Sequence, residues 1–308
     1  MTNRVVLIGH PVAHSFSGGM QQAAFDALGI DARYEIWDRR PIELPDAVAE
    51  LRGEDFLGAN ITIPHKEHAL PLVDKVSEEA QAIGAVNVIA RDGKRLVGHN
   101  TDVAGFKSAL DKLVGRQRMP RYAVVLGAGG AARAVVYALI TGGFQRVVVF
   151  NRHLHRGEGM VRHFAKSAAH MDLRAMPWHE SVLEAELSKT KLLVNATSIG
   201  LVASETPIPA ELLPGDLMVM DLIYNPSVSL LLKNAAAAGC TTMNGEYMLL
   251  HQGAKSFELW TGKAAPMAAM QEELDRAREQ GPRQLDINTA STGLPPLDPG
   301  AGSPAPLG

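Results

Sequence analysis

Apolar residues gather in short dense runs along this chain, with glycine or proline at many of the joins and longer stretches of three-to-four spacing between them. Short runs of this kind fit buried strands, and the wider spacing fits helices with one apolar face. Residues 4–9 end at a glycine close to Pro11 and predict a strand feeding a loop. Residues 17–28 read as a helix stopped by Gly29, 33–37 as a strand and 45–52 as a helix. Residues 58–63 are strand-like, and Pro64 opens a predicted helix over 64–70, because its missing N–H is harmless in a first turn. Segments 85–91 and 95–99 flank Asp92-Gly93 and predict a hairpin with a type I′ turn.

The pattern then becomes more regular. A connecting helix is predicted over 102–113, a continuous apolar strand over 122–126, an alanine-rich helix over 131–140 closed by Gly142-Gly143, and a strand over 146–150. Further strands are predicted at 192–195 and 217–223, with helical segments between them. A helix follows over 230–238, and a last long helix runs from Asn244-Gly245 to about residue 260, with Met248 and Gln252 on one face. Strand–helix alternation of this kind predicts an α/β chain with a doubly wound parallel sheet. Residues 281–308 hold 11 Gly and Pro and no aromatic residue, so a disordered tail is expected there. No internal repeat is present.

Composition narrows the function classes. The chain has 308 residues, which suits two domains, and 46% of them are hydrophobic against 20% charged, as in globular proteins. The net charge of −3 gives no bulk attraction for nucleic acid or an anionic membrane. Cys240 is the single cysteine, so no intrachain disulfide can form. No signal-peptide pattern opens the chain and no apolar run approaches a membrane span, so a cytoplasmic protein is expected.

Gly127-Ala128-Gly129-Gly130-Ala131-Ala132 lies between a predicted strand and a predicted helix. It is a G-x-G-x-x-A dinucleotide fingerprint: Gly127 permits the tight turn, Gly129 leaves room for a pyrophosphate, and the helix N-terminus favours its charge. The end of the next strand carries Asn151-Arg152-His153, with Arg156 beyond, where an NAD protein usually places a carboxylate. A neutral amide and two guanidinium groups suit a 2′-phosphate, which favours NADP. Two ordinary solvated arginines on a loop would give the same sequence.

A second cluster spans residues 59–102. It contains Asn60-Ile61-Thr62-Ile63-Pro64-His65-Lys66, Gly84-Ala85-Val86-Asn87 and Asn100-Thr101-Asp102. Short polar side chains between apolar runs suit a pocket for a small polar molecule, and Lys66 and Asp102 are available for proton work. A lysine in the first turn of a helix opposes the helix dipole, which marks Lys66 as more than a solvated surface residue.

Together with Gly9 to Ser17, the Asn195-Ala196-Thr197-Ser198 and Asp221-Leu222-Ile223-Tyr224-Asn225-Pro226 pieces, and Asn244-Gly245 with Gln252, these motifs closely resemble the shikimate dehydrogenase family over residues 4 to about 270. The resemblance implies a Rossmann-like doubly wound NADP-binding domain at 104–237. It also implies a smaller α/β substrate domain at 1–103, completed by 238–275. The implied reaction is reversible NADPH-dependent reduction of 3-dehydroshikimate to shikimate, a step towards aromatic amino acids. Lys66 and Asp102 match the family's catalytic pair. Ser15, Ser17, Thr62, Asn87, Tyr224 and Gln252 match substrate positions, and Leu222 and Gly245 match positions near the nicotinamide. Gly127, Ala128, Gly129, Gly130, Ala131, Asn151, Arg152, His153 and Arg156 match the cofactor positions. Proton donation by Lys66 alone and a transfer shared with Asp102 both fit.

Ser15 and Ser17 are expected to point the same way from an extended segment. The chain departs from the family at His10 for Asn, Gly18 for Pro and His153 for Thr. No metal is expected, because His14, His65, His68 and His99 have no cysteine to join them in a four-ligand site. The expected partner is the small-molecule substrate, with neither nucleic acid nor membrane; a homodimer is admitted without being specified. A quinate/shikimate dehydrogenase that also uses NAD is the near alternative. A non-catalytic dinucleotide-binding sensor is the distant one, and it has no need for Lys66 and Asp102 together.

Overall fold

A computed structural model describes residues 2–13, 15–202 and 204–280; the predicted tail and His14 lie outside the described residues. Two six-stranded sheets organise the chain. The first contains β1 (Asn3–Gly9), β2 (Ala32–Asp38), β3 (Phe56–Ile61), β4 (Lys75–Val76), β5 (Val88–Asp92) and β6 (Arg95–His99), in the order β2-β1-β3-β5-β6-β4. It is mixed: β1 runs parallel to β2 and β3, whereas β5 runs antiparallel to β3 and β6. Successive residues of β1 serve opposite faces, as a pleated strand requires. Val5 packs with Met20, Phe25, Phe257 and Met270, while Val6 and Ile8 pack with Trp37, Leu44, Val48 and Phe56.

The second sheet contains β7 (Tyr122–Leu126), β8 (Arg146–Phe150), β9 (Asp172–Met176), β10 (Leu192–Asn195), β11 (Met218–Asp221) and β12 (Thr241–Met243). Its order is β12-β11-β10-β7-β8-β9, and every pairing is parallel. The central strands read as unbroken apolar runs because both faces are covered. Val125 and Val149 pack with α4 (Asp102–Val114) and α5 (Gly130–Thr141); Val124 and Val148 pack with α7 (Glu180–Leu187) and α8 (Leu230–Ala237). The strand order reverses between β7 and β10, the switch point at which such sheets bind ligands.

The two sheets are joined through α4 and α9 (Glu246–Thr261). Gly105 makes the contact close: a Cβ there would lie 2.6 Å from the Met248 carbonyl oxygen. α1 (Ser17–Ala27) and α10 (Met267–Glu279) complete the cover on that face of the first sheet. Among the described residues no helix is long and apolar enough to cross a membrane.

Three local expectations fail for physical reasons. No α-helix forms over 64–70. The Lys66 carbonyl instead accepts the Val86 N–H at 2.8 Å, and only a 3-10 turn at Leu70–Leu72 follows. Pro71 brings no N–H and disfavours the α conformation at Leu70. Lys66 therefore does not oppose a helix dipole; its placement needs another account. The hairpin pairs Asp92 with Arg95, so its loop is Gly93-Lys94, with Gly93 at φ +63° and no positive φ at Lys94. That is the type II′ arrangement rather than type I′.

Residues 15–17 are not extended either. Phe16 is in the right-handed helical region (φ −79°, ψ −8°), and the Ser15 Oγ accepts the Ser17 N–H at 3.2 Å as α1 begins. The hydrophobic pattern also misses β4, β9, β12, α3 (Glu78–Ile83) and α10. The first three are short or half-buried edge strands, and α3 has only six residues. α10 buries Met270 and Leu274 from an otherwise polar segment.

Candidate active site

β1, β3 and β5 of the first sheet and the C-terminal ends of β7, β10 and β11 in the second converge on one cleft. Two adjoining cavities fill it. One has about 1040 Å³ of empty space, continuous with solvent, and is lined by Ser15, Ser17, Thr62, Lys66, Asn87, Asp102, Leu222, Tyr224, Gly245 and Gln252. The other, of about 1020 Å³, is lined by residues 127–131, Asn151, Arg152, His153 and Arg156. Ile63, Lys66, Ala131, Ala196, Thr197 and Ser198 line both. All site residues expected from sequence are thus brought to one place, although they come from segments more than 200 residues apart.

Lys66 and Asp102 meet in the wall of the first cavity, with Nζ 2.5 Å from Oδ2. Asp102 is 3% exposed, so its charge requires partners on both oxygens. Lys66 serves Oδ2, and the Asn87 side-chain amide donates to Oδ1 at 2.9 Å. Asn87 is itself held: its Oδ1 accepts the Thr101 N–H at 2.7 Å, and its amide also donates to Thr101 Oγ1 at 2.9 Å. Thr101 Oγ1 lies 3.1 Å from Ser256 Oγ on α9, and Gln252 Oε1 lies 3.3 Å from the Asn87 amide. β5, α4 and α9 therefore fix the direction of the Asp102 carboxylate through a continuous polar network.

Sequence reasoning missed part of that network. The Asn60 amide donates to the Asn87 carbonyl at 3.2 Å and to Ser256 Oγ at 3.3 Å, while its Oδ1 accepts the Tyr34 hydroxyl at 2.7 Å. Asn60 is a polar residue inside an otherwise apolar buried strand, which is the signal that would have found it. Ser256 stands four residues after Gln252, on the same face of α9. Burial raises the Tyr34 phenol well above its usual range, so it stays a proton donor here.

In the same cavity, the Tyr224 hydroxyl lies 3.4 Å from Ser15 Oγ, and its ring packs against Phe16 at 5.3 Å between centroids. Burial raises this phenol as well. Three hydroxyls, from Ser15, Ser17 and Tyr224, therefore line the same cavity as the ion pair.

The glycine turn shows how a nucleotide fits. Gly127 has φ +105°, and a Cβ there would lie 2.8 Å from the Ala196 carbonyl oxygen, so only glycine closes this turn beside β10. A Cβ on Gly129 would meet open space, which is the room a pyrophosphate needs above the α5 N-terminus. A Cβ on Gly130 would lie 2.6 Å from Lys66 Cβ. The lysine turn of the first unit thus packs directly onto the nucleotide turn of the second. In the same cavity, the Asn151 amide donates to the His153 carbonyl at 2.9 Å and shapes the loop that carries Arg152. Among the described residues Arg152 makes no ion pair, whereas Arg156 Nη2 lies 3.3 Å from Glu67 Oε1.

Asp221 ends β11 and is fully buried. It accepts from Ser229 Oγ at 2.5 Å, the Asn195 amide at 2.9 Å and the Ile223 N–H at 3.1 Å. Asn195 Oδ1 in turn accepts the Thr197 N–H and hydroxyl. One carboxylate thus ties the loop at 195–199 to the loop at 222–224.

Comparison with known proteins agrees with this arrangement. Residues 7–89 match the family model for the shikimate dehydrogenase substrate binding domain, 111–200 that for shikimate / quinate 5-dehydrogenase, and 245–274 that for the shikimate 5'-dehydrogenase C-terminal domain. The chain is 42% identical over 278 residues to the shikimate dehydrogenase (NADP(+)) of Salinibacter ruber, covering 89% of this chain and 97% of the relative. It is also similar to the crystal structure of shikimate 5-dehydrogenase from Thermus thermophilus in complex with NADP(H) and shikimate. There the TM-score is 0.77 at 42% identity, over 89% of this chain and 99% of that one. A quinate dehydrogenase from Corynebacterium glutamicum in complex with NAD matches with a TM-score of 0.80 at 30% identity, over 89% of this chain and 99% of that one. Fold and cleft define a two-unit α/β protein with a dinucleotide turn facing a polar pocket. The chain belongs to the shikimate dehydrogenase family.

The buried Asp221 carboxyl gives a pH test. Burial pushes it up to about 6 from an ordinary 3.8, against the bonds from Ser229, Ile223 and Asn195, which lower it. The fold therefore holds this proton more tightly than the unfolded chain does. Its stabilising effect is complete below about 4 and is lost as pH rises through about 6. Asp221→Asn cannot ionise and keeps the acceptor for Asn195 and Ile223. Chemical denaturation should show the variant gaining on the parent protein across that interval, by at most about 3 kcal/mol. A difference independent of pH would mean that Asp221 does not titrate there.

Proposed function

We propose that this protein is an NADP-dependent shikimate dehydrogenase, reducing 3-dehydroshikimate to shikimate reversibly in the route to chorismate and aromatic amino acids. The observation that carries the reading is the Lys66–Asp102 pair, 2.5 Å apart, at the boundary where a polar cavity opens into the dinucleotide cavity. NADPH bound along the glycine turn supplies a hydride. The chain's own residues do the rest. Lys66 protonates the substrate oxygen as negative charge grows on it, and takes the proton back in the oxidation direction. Asp102 holds the ammonium in place and shares the charge change, with Asn87 fixing its orientation.

Ser15, Ser17 and Tyr224 hold the ring carboxylate; Thr62, Asn87 and Gln252 hold its hydroxyls. A site built of such groups rejects analogues that leave them unpaired. The residues also suit the cofactor. The space above Gly129 and the α5 N-terminus would take the pyrophosphate, Leu222 and Gly245 would flank the nicotinamide, and Asn151, Arg152, His153 and Arg156, which line the same cavity as the glycine turn, would hold the 2′-phosphate. In domain terms, residues 1–103 form the substrate domain, the chain from 104 to Met243 forms the cofactor domain, and α9 and α10 complete the substrate domain. The pairing of β12 with β11 supports a return to the substrate domain after Met243 rather than at residue 238.

Two variants test the roles. Lys66→Ala should lower kcat by orders of magnitude while NADP+ affinity, read by fluorescence titration, changes little; full turnover would remove Lys66 from the chemistry. Arg152→Ala combined with Arg156→Ala should weaken NADPH binding much more than NADH binding. Equal losses would displace the 2′-phosphate from these arginines. Substrate choice is read from kcat/KM for shikimate and quinate with each cofactor. Shikimate with NADP+ is expected to be the best pair, and equal efficiency with quinate would make the broader enzyme the correct reading.

A further inference from the structure

Glu67 follows Lys66 directly and lines the dinucleotide cavity. Its two carboxylate oxygens serve two different arginines of the second unit. Oε2 accepts from Arg133 Nε at 2.9 Å, and Oε1 accepts from Arg156 Nη2 at 3.3 Å. The Arg133 bond is the firmer one: that side chain is 15% exposed, and it also donates to the Ile83 carbonyl at 3.4 Å. Arg156 is 49% exposed and has Glu67 as its one ion-pair partner among the described residues. A negative group thus stands beside one of the two guanidinium groups facing the 2′-phosphate end of the cavity.

We propose that Glu67 sets the strength of 2′-phosphate recognition by competing with the phosphate for Arg156, while its bond to Arg133 clamps the Lys66 turn onto α5. This rests on the cofactor reading given above. A 2′-phosphate carries nearly two negative charges and accepts several hydrogen bonds, so it draws Arg156 away from a single long contact. It also meets the Glu67 charge at close range, and that repulsion acts against NADP and not against NAD. Glu67 is thereby a specificity residue that tempers the preference for the phosphorylated cofactor. Arg133 remains paired when the phosphate takes Arg156, so the lysine turn keeps its seat in both states.

The test reads nucleotide binding rather than turnover. The probes are adenosine 2′,5′-bisphosphate and 5′-AMP, measured by calorimetry on the full chain. Glu67→Gln removes the charge and leaves an amide oxygen for Arg133, and a thermal melt confirms that the variant folds. The bisphosphate should bind roughly tenfold tighter to this variant than to the parent at low salt, with 5′-AMP unchanged and the gain shrinking as salt is raised. In an Arg156→Ala background the gain should fall by more than half. Unchanged or weaker bisphosphate binding, an equal gain for 5′-AMP, or a full gain without Arg156 would overturn the proposal. If the parent binds both nucleotides alike, the 2′-phosphate reading itself falls, and the proposal with it. A Glu67→Gln variant that does not fold shifts the measurement to Glu67→Asp, whose shorter reach should leave Arg156 free and give a smaller gain; no gain there overturns the proposal too.

Discussion

A buried carboxylate must have its charge met on both oxygens, and Asp102 imposes that requirement on the whole cleft. Leaving such a group without its partner destabilises by about 3–5 kcal/mol. The requirement explains why polar residues appear at positions the core would otherwise fill with apolar ones. Asn87 follows the glycine-ended α3, Thr101 precedes α4, and Gln252 and Ser256 interrupt the buried face of α9. Asn60 extends the same network into β3 and out to Tyr34. The polar residues that orient the ion pair also knit the first sheet to the helices that carry the chain to the second.

The second sheet solves a different problem. Its parallel strands end together, and the reversal between β7 and β10 leaves a crevice that the chain must line without filling. In the turn after β7 the neighbouring backbone at Gly127 and Lys66 at Gly130 leave no room for a side chain, whereas Gly129 keeps the space in front of the turn open. The loops after β10 and β11 are held instead by Asp221, a carboxylate that burial disfavours and that nonetheless receives three hydrogen bonds. A costly buried charge that orders two site loops is a common compromise at functional positions, where geometry takes precedence over stability. The direct packing of the lysine turn on the nucleotide turn means that the two halves of the site are held in register by contact, with Glu67 adding charge at the outer end.

Sequence alone carried the strands β7, β8, β10 and β11, the glycine turn, the major helices and the motifs whose residues line the cleft, because each is a local signal. Unbroken apolar runs mark strands covered on both faces, and Gly127 marks a backbone angle that other residues avoid. Local signals failed where the outcome rested on distant partners. The segment at 64–70 has proline and helix-compatible residues, yet Val86 claims its carbonyl and Pro71 stops the helix. Edge strands β9 and β12 have too little apolar burial to show themselves. Helix α10 becomes legible only once Gly19 and α1 are there to receive it, with a Cβ at Gly19 only 2.8 Å from Glu273 Oε1. Which of two oxygens on Asp102 meets Lys66, which arginine pairs with Glu67, and how far the two turns approach are set by packing between segments far apart in the chain. Such distances depend on the sum of many contacts, and no single stretch of residues encodes them.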